Sequence, residues 1–315
     1  MECYLRDRFG RCVDSYRLVV TTRCNYACIF CHREGITGAG RNELLTPQDY
    51  GFLTKVSIGL GIKSYKITGG EPLMRDDIAE IVKEISSEGG DVTMTSNGSL
   101  LSVKAKDLAD GGLKRINVSV HSLRKETYAY LTGGSRSLDI VLRGIRLAID
   151  YGIKVKLNFI LMRSNREELP QLINFAAGIG ADMNIIELIP LGTPLPVYNR
   201  EHEKFDGLER ILVELGGTSK LKKFQNRPSY VLPNGTEVTL IRGYGNPNLC
   251  EGCTRLRITP EGRIKTCLFV EEPYIDFLRP IKERDSRGVI EAIHRAVELR
   301  KPYFTKGGKN GNQDG

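Results

Sequence analysis

Short apolar runs alternate with amphipathic stretches through the first two-thirds of the chain, and this alternation narrows the fold more than any other feature. Candidate strands fall at residues 16–21, 64–67, 92–96, 115–120, 154–161 and 184–189. The helical patterns between them cover about 46–60, 76–87, 102–110, 137–151 and 166–179. Thr46-Pro47 reads as an N-cap followed by Pro at the first helical position. Gly89-Gly90, Gly111-Gly112 and Gly152 stand where helix C-caps fall. Strand–helix alternation with short connections predicts a parallel sheet covered by helices. Six units are too few to close an eight-fold barrel alone. An open, partial barrel and a doubly wound sheet both remain, and each puts ligands at the C-terminal ends of its strands.

The pattern changes after Ile189: residues 190–196 hold three prolines and 200–204 are highly charged. A boundary is expected here, giving a first unit over 1–195 and a second over 196–304. The glycine-, lysine- and asparagine-rich stretch 305–315 is expected to be a mobile tail. The N-terminus is charged from the start and lacks the apolar segment of a secretory signal. With no apolar run near the roughly 18 residues of a membrane span, the expected location is the cytoplasm.

Eight cysteines are spread unevenly over 315 residues. Six fall in two tight groups, Cys24, Cys28 and Cys31, then Cys250, Cys253 and Cys267. Where thiols stay reduced, such grouping suggests metal binding more than disulfides. Cys3 and Cys12 fit no motif and are read as small buried or surface residues.

The first group, C-x3-C-x2-C, follows the first candidate strand directly. Three thiolates on one short loop suit three irons of a [4Fe–4S] cube and leave the fourth iron open. A zinc loop is the plain alternative. It lacks a well-placed fourth ligand, because His32 adjoins Cys31. Thr68-Gly69-Gly70-Glu71-Pro72 follows the second strand, where it could be an ordinary turn entering a helix. The second group, C-x2-C-x13-C, again offers three thiols without a second C-x2-C pair. A zinc site with a remote ligand and a second open cluster both fit. Arg255 and Arg257 follow Cys253 closely, and guanidinium groups suit an anionic substrate as well as a solvated surface.

The cysteine triad and the GGEP segment together resemble the radical SAM (S-adenosylmethionine) superfamily. Both triads at their spacing, residues 68–75 (TGGEPLMR) and residues 115–119 (RINVS) resemble one branch of it, the GTP 3′,8-cyclases of molybdenum cofactor biosynthesis. The match runs from about Leu5 to at least Leu268. The resemblance implies an α/β fold, a partial (β/α)6 TIM-like barrel with a C-terminal α+β extension carrying a second iron–sulfur cluster. It implies two [4Fe–4S] clusters, one on each triad, and SAM bound by Phe30, Gly70, Ser119 and Ile189, the glycines allowing close approach to SAM. It implies GTP contacts from Arg17, which is also catalytic, and from Lys66, Thr95, Lys156, Arg255, Leu256 and Arg257. Leu256 would act through its backbone.

The implied reaction takes the 3′ hydrogen from the GTP ribose and joins C3′ to C8 of guanine. The product is 3′,8-cyclo-7,8-dihydro-GTP, the substrate of a downstream cyclic pyranopterin monophosphate synthase. An electron donor is required, and a homodimer stays open. Nucleic acid and membrane are not expected partners. The charge of +8 would suit nucleic acid, but no basic–aromatic cluster accompanies it. A peptide-maturing radical SAM enzyme is the nearest competitor and usually carries more C-terminal cysteines. Three departures stand out: Lys66 where many relatives have Arg, His121 where many have Asp, and an end at Gln313-Asp314-Gly315, with Gly307-Gly308 internal, in place of a Gly-Gly tail.

Overall fold

A computed structural model describes residues 3–36, 42–135, 137–270 and 273–304. The expected mobile tail lies outside them. The six predicted strands form as β1 (Ser15–Val19), β2 (Ser64–Thr68), β3 (Asp91–Ser96), β4 (Arg115–Ser119), β5 (Lys154–Leu161) and β6 (Asp182–Glu187). They pair in parallel in chain order. Helices Pro47–Gly59, Ile78–Ser87, Leu101–Asp110, Leu138–Asp150 and Leu169–Gly178 cross between them.

Local chemistry sets the helix ends. The Thr46 hydroxyl accepts from the Asp49 N–H at 3.4 Å, and the Asp49 carboxylate accepts from the Thr46 N–H at 2.8 Å. This reciprocal cap, with Pro47 in the first turn, starts the first helix where the sequence predicts it. Gly89, Gly112 and Gly152 follow three of the helices in left-handed conformations. The predicted helix over 166–179 is divided. A 3-10 turn at Arg166–Glu168 precedes an α-helix that begins beside Pro170, a residue that fits a first turn and not an interior. Within the six-strand array one helix, Lys125–Thr132, was not expected. Its short apolar pattern is easily lost against a strand end.

The remaining strands are β7 (Thr218–Lys222), β8 (Arg227–Val231), β9 (Glu237–Ile241), β10 (Arg255–Ile258), β11 (Arg263–Lys265) and β12 (Ile275–Asp276). The sheet runs β12-β11-β10-β1-β2-β3-β4-β5-β6-β9-β8-β7. β10 pairs parallel to β1 and β9 parallel to β6. Two strands from beyond residue 196 therefore extend the six-stranded array at both edges, and antiparallel strands finish each side. The fold is α/β, a partial (β/α)6 barrel with a C-terminal α+β extension.

Alternate strand side chains point into the helical layer, and Tyr16, Leu18, Tyr65, Ile67, Met94, Ile116 and Val118 are fully buried there. The residues between them face the barrel interior. No helix among the described residues is long and apolar enough to cross a membrane.

One cysteine expectation is corrected. Cys3 and Cys12 are joined by a disulfide. The first residues fold back through a turn at Gly10 and an antiparallel bridge from Arg6 to Cys12. That return brings the two Cα atoms to 5.8 Å, inside the range that a disulfide spans. Sequence spacing alone did not reveal the hairpin.

Candidate active site

The first triad sits on the loop that leaves β1. Cys24 and Cys31 are exposed and Cys28 is half-buried, and all three are free thiols. The unexpected helix Lys125–Thr132 braces this loop: the Ala27 and Ile29 N–H groups donate to the Thr132 and Leu131 carbonyls at 3.2 and 3.1 Å. The Tyr26 N–H is directed at the Cys24 sulfur, 3.4 Å away. Although Cys24 and Cys31 are exposed as residues, desolvation by the loop packed around the sulfurs raises the thiol pKa of Cys24, Cys28 and Cys31 above the ordinary value. Thiolates there require positive compensation, which a metal supplies.

The GGEP segment locks onto the same loop. The Gly70 N–H donates to the Thr21 carbonyl at 2.8 Å and the Glu71 N–H to the Arg23 carbonyl at 2.7 Å. A Cβ on Gly70 would lie 2.1 Å from the Arg23 carbonyl oxygen. The close approach expected toward a ligand is therefore first a close approach between two loops of the chain. The buried Glu71 carboxylate accepts from Ser96 Oγ and the N–H groups of Asn97 and Leu73 at 2.7, 2.7 and 3.0 Å. Even so, burial pushes its pKa up to about 7.

The second triad lies across the cavity. Cys250 is on the short helix Pro247–Glu251, Cys253 leads into β10, and Cys267 follows β11. Two arginines hold its backbone. Arg11 donates to the Cys250 carbonyl at 3.2 Å and Arg300 to the Cys253 carbonyl at 2.5 Å. Burial raises the Cys250 thiol. At Cys253 burial acts the same way, but the Arg255, Arg300 and Arg257 charges outweigh it and lower the pKa. Among the described residues, no three His, Cys, Asp or Glu side chains are gathered around a point that would hold a single metal ion. Ligands that each bind a separate iron of a cube need no such gathering.

Strand register builds a row of cations. Arg17 of β1 is paired with Arg257 of β10 on one side and Lys66 of β2 on the other. Neighbouring strands stand about 4.8 Å apart, so three like charges meet on one face. Glu34 partly neutralises them. It pairs with Arg17 at 2.7 Å and Arg257 at 2.5 Å, and Thr68 donates to it at 2.9 Å. Burial would raise the Glu34 pKa, but Arg17 and Arg257 hold it far below the usual carboxylate range. Burial also lowers the Arg17 and Lys66 pKa values, with neighbouring arginines adding to the effect at Lys66. Glu34 was absent from the sequence reading, and its position three residues after Cys31 was its only signal.

A cavity of about 1220 Å³ joins these parts, larger than a typical single-ligand site. All six grouped cysteines line it, as do Arg17, Lys66, Thr95, Arg255, Arg257, Phe30, Gly70, Ser119 and Ile189. The Thr95 hydroxyl and the Arg255 Nε are buried without hydrogen-bond partners, which suits an incoming polar ligand. Lys156 and Leu256 are not on this wall. Lys156 lies 3.5 Å from Glu237 and 3.7 Å from Asp182, and Leu256 is fully buried in β10.

Sequence reading also missed Asn117, Asn158 and Asn184, an amide row across β4, β5 and β6. Asn158 Oδ1 accepts from Asn117 at 3.2 Å and Asn184 at 2.8 Å. His121 packs edge-on against Phe30 with ring centroids 4.6 Å apart, and its Nδ1 accepts from the Ile160 N–H at 3.1 Å. Burial lowers its pKa to about 3, so it is a neutral support for the aromatic residue of the cysteine loop.

Residues 18–176 match the Radical SAM superfamily, and residues 181–306 match Molybdenum Cofactor Synthesis C. A protein of Pyrobaculum aerophilum named "Probable GTP 3′,8-cyclase" is 41% identical over 306 residues, covering 95% of this chain and 98% of that one. A protein of Sulfurisphaera tokodaii with the same name is 39% identical, covering 95% and 96%. The chain belongs to the GTP 3′,8-cyclase family of radical SAM enzymes. Among solved structures, Streptococcus suis SuiB bound to S-adenosylmethionine superposes with a TM-score of 0.64 at 16% identity, over 85% of this chain and 64% of that longer one. The anSMEcpe structure with bound AdoMet gives 0.62 at 14% identity, over 90% and 84%. These two share the radical SAM fold. As a member of this superfamily the chain is an enzyme that uses S-adenosylmethionine with an iron–sulfur cluster.

Proposed function

We propose that this chain is a GTP 3′,8-cyclase, converting GTP to 3′,8-cyclo-7,8-dihydro-GTP in the first step of molybdenum cofactor biosynthesis. One observation carries the reading: two cysteine triads face a single cavity whose wall carries a row of cations, Arg257 buried and Arg17 and Lys66 half-buried. Cys24, Cys28 and Cys31 would hold the first [4Fe–4S] cluster, and Cys250, Cys253 and Cys267 a second. The donor sets fit, since each offers three free thiols and no disulfide joins any of the six. Bound at the first triad, a reduced cluster with S-adenosylmethionine supplies a carbon-centred radical able to take hydrogen from a ribose.

The chain's own residues then solve an orientation problem. Joining C3′ to C8 within one nucleotide requires both ends of the substrate to be held. Arg17, Lys66, Arg255 and Arg257 provide the anion-binding wall, with Arg17 closest to a catalytic role. Thr95 offers an unpartnered hydroxyl, and Phe30, Gly70, Ser119 and Ile189 line the part nearer the first triad. For Lys156 and the Leu256 backbone, a contact with GTP requires the substrate to reach beyond the wall described above. Residues 1–195 would form the radical-generating unit and 196–304 the substrate unit, although both contribute strands to one sheet. The reaction needs a one-electron donor, and its product would pass to a cyclic pyranopterin monophosphate synthase.

Anaerobic reconstitution tests the two-cluster basis. The wild-type chain should bind about eight irons. Cys250→Ala should bind about four, keep part of its SAM cleavage and lose GTP conversion. About four irons in the wild type would rule the reading out.

A further inference from the structure

Arg227, the first residue of β8, was not singled out by its sequence, yet it lines the cavity. Its guanidinium lies 4.8 Å from the centre of the Phe224 ring, and that of Arg255 lies 4.7 Å from the same ring. The Nε atoms of both arginines are buried without hydrogen-bond partners. Among the described residues, none of the ion pairs involves Arg227, Arg255 or Lys66. Burial and the nearby Arg17 charge lower the Arg227 pKa to about 10. An assembly of this kind costs free energy until an anion arrives.

The turn before Arg227 is built to present it. Gln225 and Asn226 both adopt left-handed conformations, at φ of 57° and 46°, which residues with side chains rarely take. The second cysteine loop fixes them there: the Gln225 N–H donates to the Gly252 carbonyl at 2.7 Å and Asn226 Nδ2 to the Asn248 carbonyl at 2.8 Å. A Cβ on Gly252 would lie 2.8 Å from the Asn226 nitrogen. Arg227 also donates to the Gln225 side chain.

Charge points to the ligand class. Arg17, Lys66, Arg227, Arg255 and Arg257 line one wall, where Glu34 is the carboxylate that opposes them. Glu71 is engaged with Leu73, Ser96 and Asn97, and Glu187 lies beside His202. Arg11, Arg33, Arg300 and Lys301 also line the cavity, so its cations outnumber its carboxylates Glu34, Glu71 and Glu187, which suits a polyanion such as a nucleoside triphosphate.

We propose that Arg227 is a further substrate-binding residue: with Arg255 it forms a guanidinium pair on Phe224 that holds the phosphate chain of the nucleotide. The inference rests on the GTP reading above and adds a residue to it. Equilibrium dialysis of the reconstituted protein with SAM tests it, using GTP, guanosine and inorganic tripolyphosphate as probes. Arg227→Gln should weaken GTP and tripolyphosphate binding by roughly tenfold to a hundredfold, the range of a charge-assisted hydrogen bond, and leave guanosine within about twofold. Arg227→Lys should recover part of the loss. Unchanged GTP binding in Arg227→Gln overturns the proposal, as does an equal loss for guanosine.

Thermal melting without nucleotide separates a structural role. Removing a repelled charge should leave the melting temperature unchanged or raised, whereas a fall of several degrees with GTP affinity intact overturns the proposal. If Arg227→Gln does not fold, Phe224→Leu keeps both charges and removes their platform. It should weaken GTP more than guanosine, and equal effects on the two overturn the proposal. If ATP binds as tightly as GTP and loses the same factor in Arg227→Gln, the guanine reading fails and Arg227 stands.

Discussion

Glu34 shows how a single residue makes this site possible. Arg17, Arg257 and Lys66 are brought together by strand register, and the Glu34 carboxylate bridges two of them. Glu34→Gln should destabilise the protein by about 3 kcal/mol or more, because it leaves buried charges uncompensated; urea unfolding of the cluster-free chain measures this. The Glu34 pKa is depressed on folding. Its contribution is therefore present above the ordinary carboxylate pKa, about 4.3, and lost as the pH falls into the strongly acid range. Glu71 has the opposite sign. Its pKa rises to about 7, so the stability it contributes is full below about 4.3 and lost as the pH climbs through 7. Glu71→Gln should flatten the pH dependence of stability between those values, and an unchanged profile would refute the assignment. The cysteines and the Arg255/Arg257 pair were legible because chain spacing alone displays them, whereas Arg17 came only through the family resemblance. Glu34, Arg227 and the asparagine row were not, since their importance comes from neighbours distant in sequence.

At the scale of elements, the cysteine loop is held from two sides. Helix Lys125–Thr132 receives its N–H groups, and the GGEP segment meets its carbonyls. Gly70→Ala places a methyl 2.1 Å from a backbone oxygen that has no side-chain freedom to retreat. The variant should lose about 1–3 kcal/mol of stability and retain less iron at the first triad, while the second triad fills normally. Iron content and melting temperature check this together. Six strands and five crossing helices were readable from period and caps, with ends shifted by up to three residues. The bracing helix was missed because eight residues give little periodicity. The Cys3–Cys12 pairing was missed because it depends on a hairpin with no strong sequence pattern.

At the scale of the molecule, the C-terminal region is continuous with the barrel. Its strands β9 and β10 flank β6 and β1, which carries Arg255 and Arg257 to the side of Arg17 and sets the second triad opposite the first. The cation-lined wall is therefore shared between regions that the sequence suggested as separate units. The composition change near residue 196 marks where the strand–helix repeat stops, and the sheet carries on past it. The most direct test of the proposed activity uses GTP deuterated at C3′, incubated anaerobically with the reconstituted protein, S-adenosylmethionine and dithionite. The expected result is deuterium in the 5′-deoxyadenosine released, together with a cyclised GTP product. Unlabelled 5′-deoxyadenosine, formed equally fast without GTP, would contradict it.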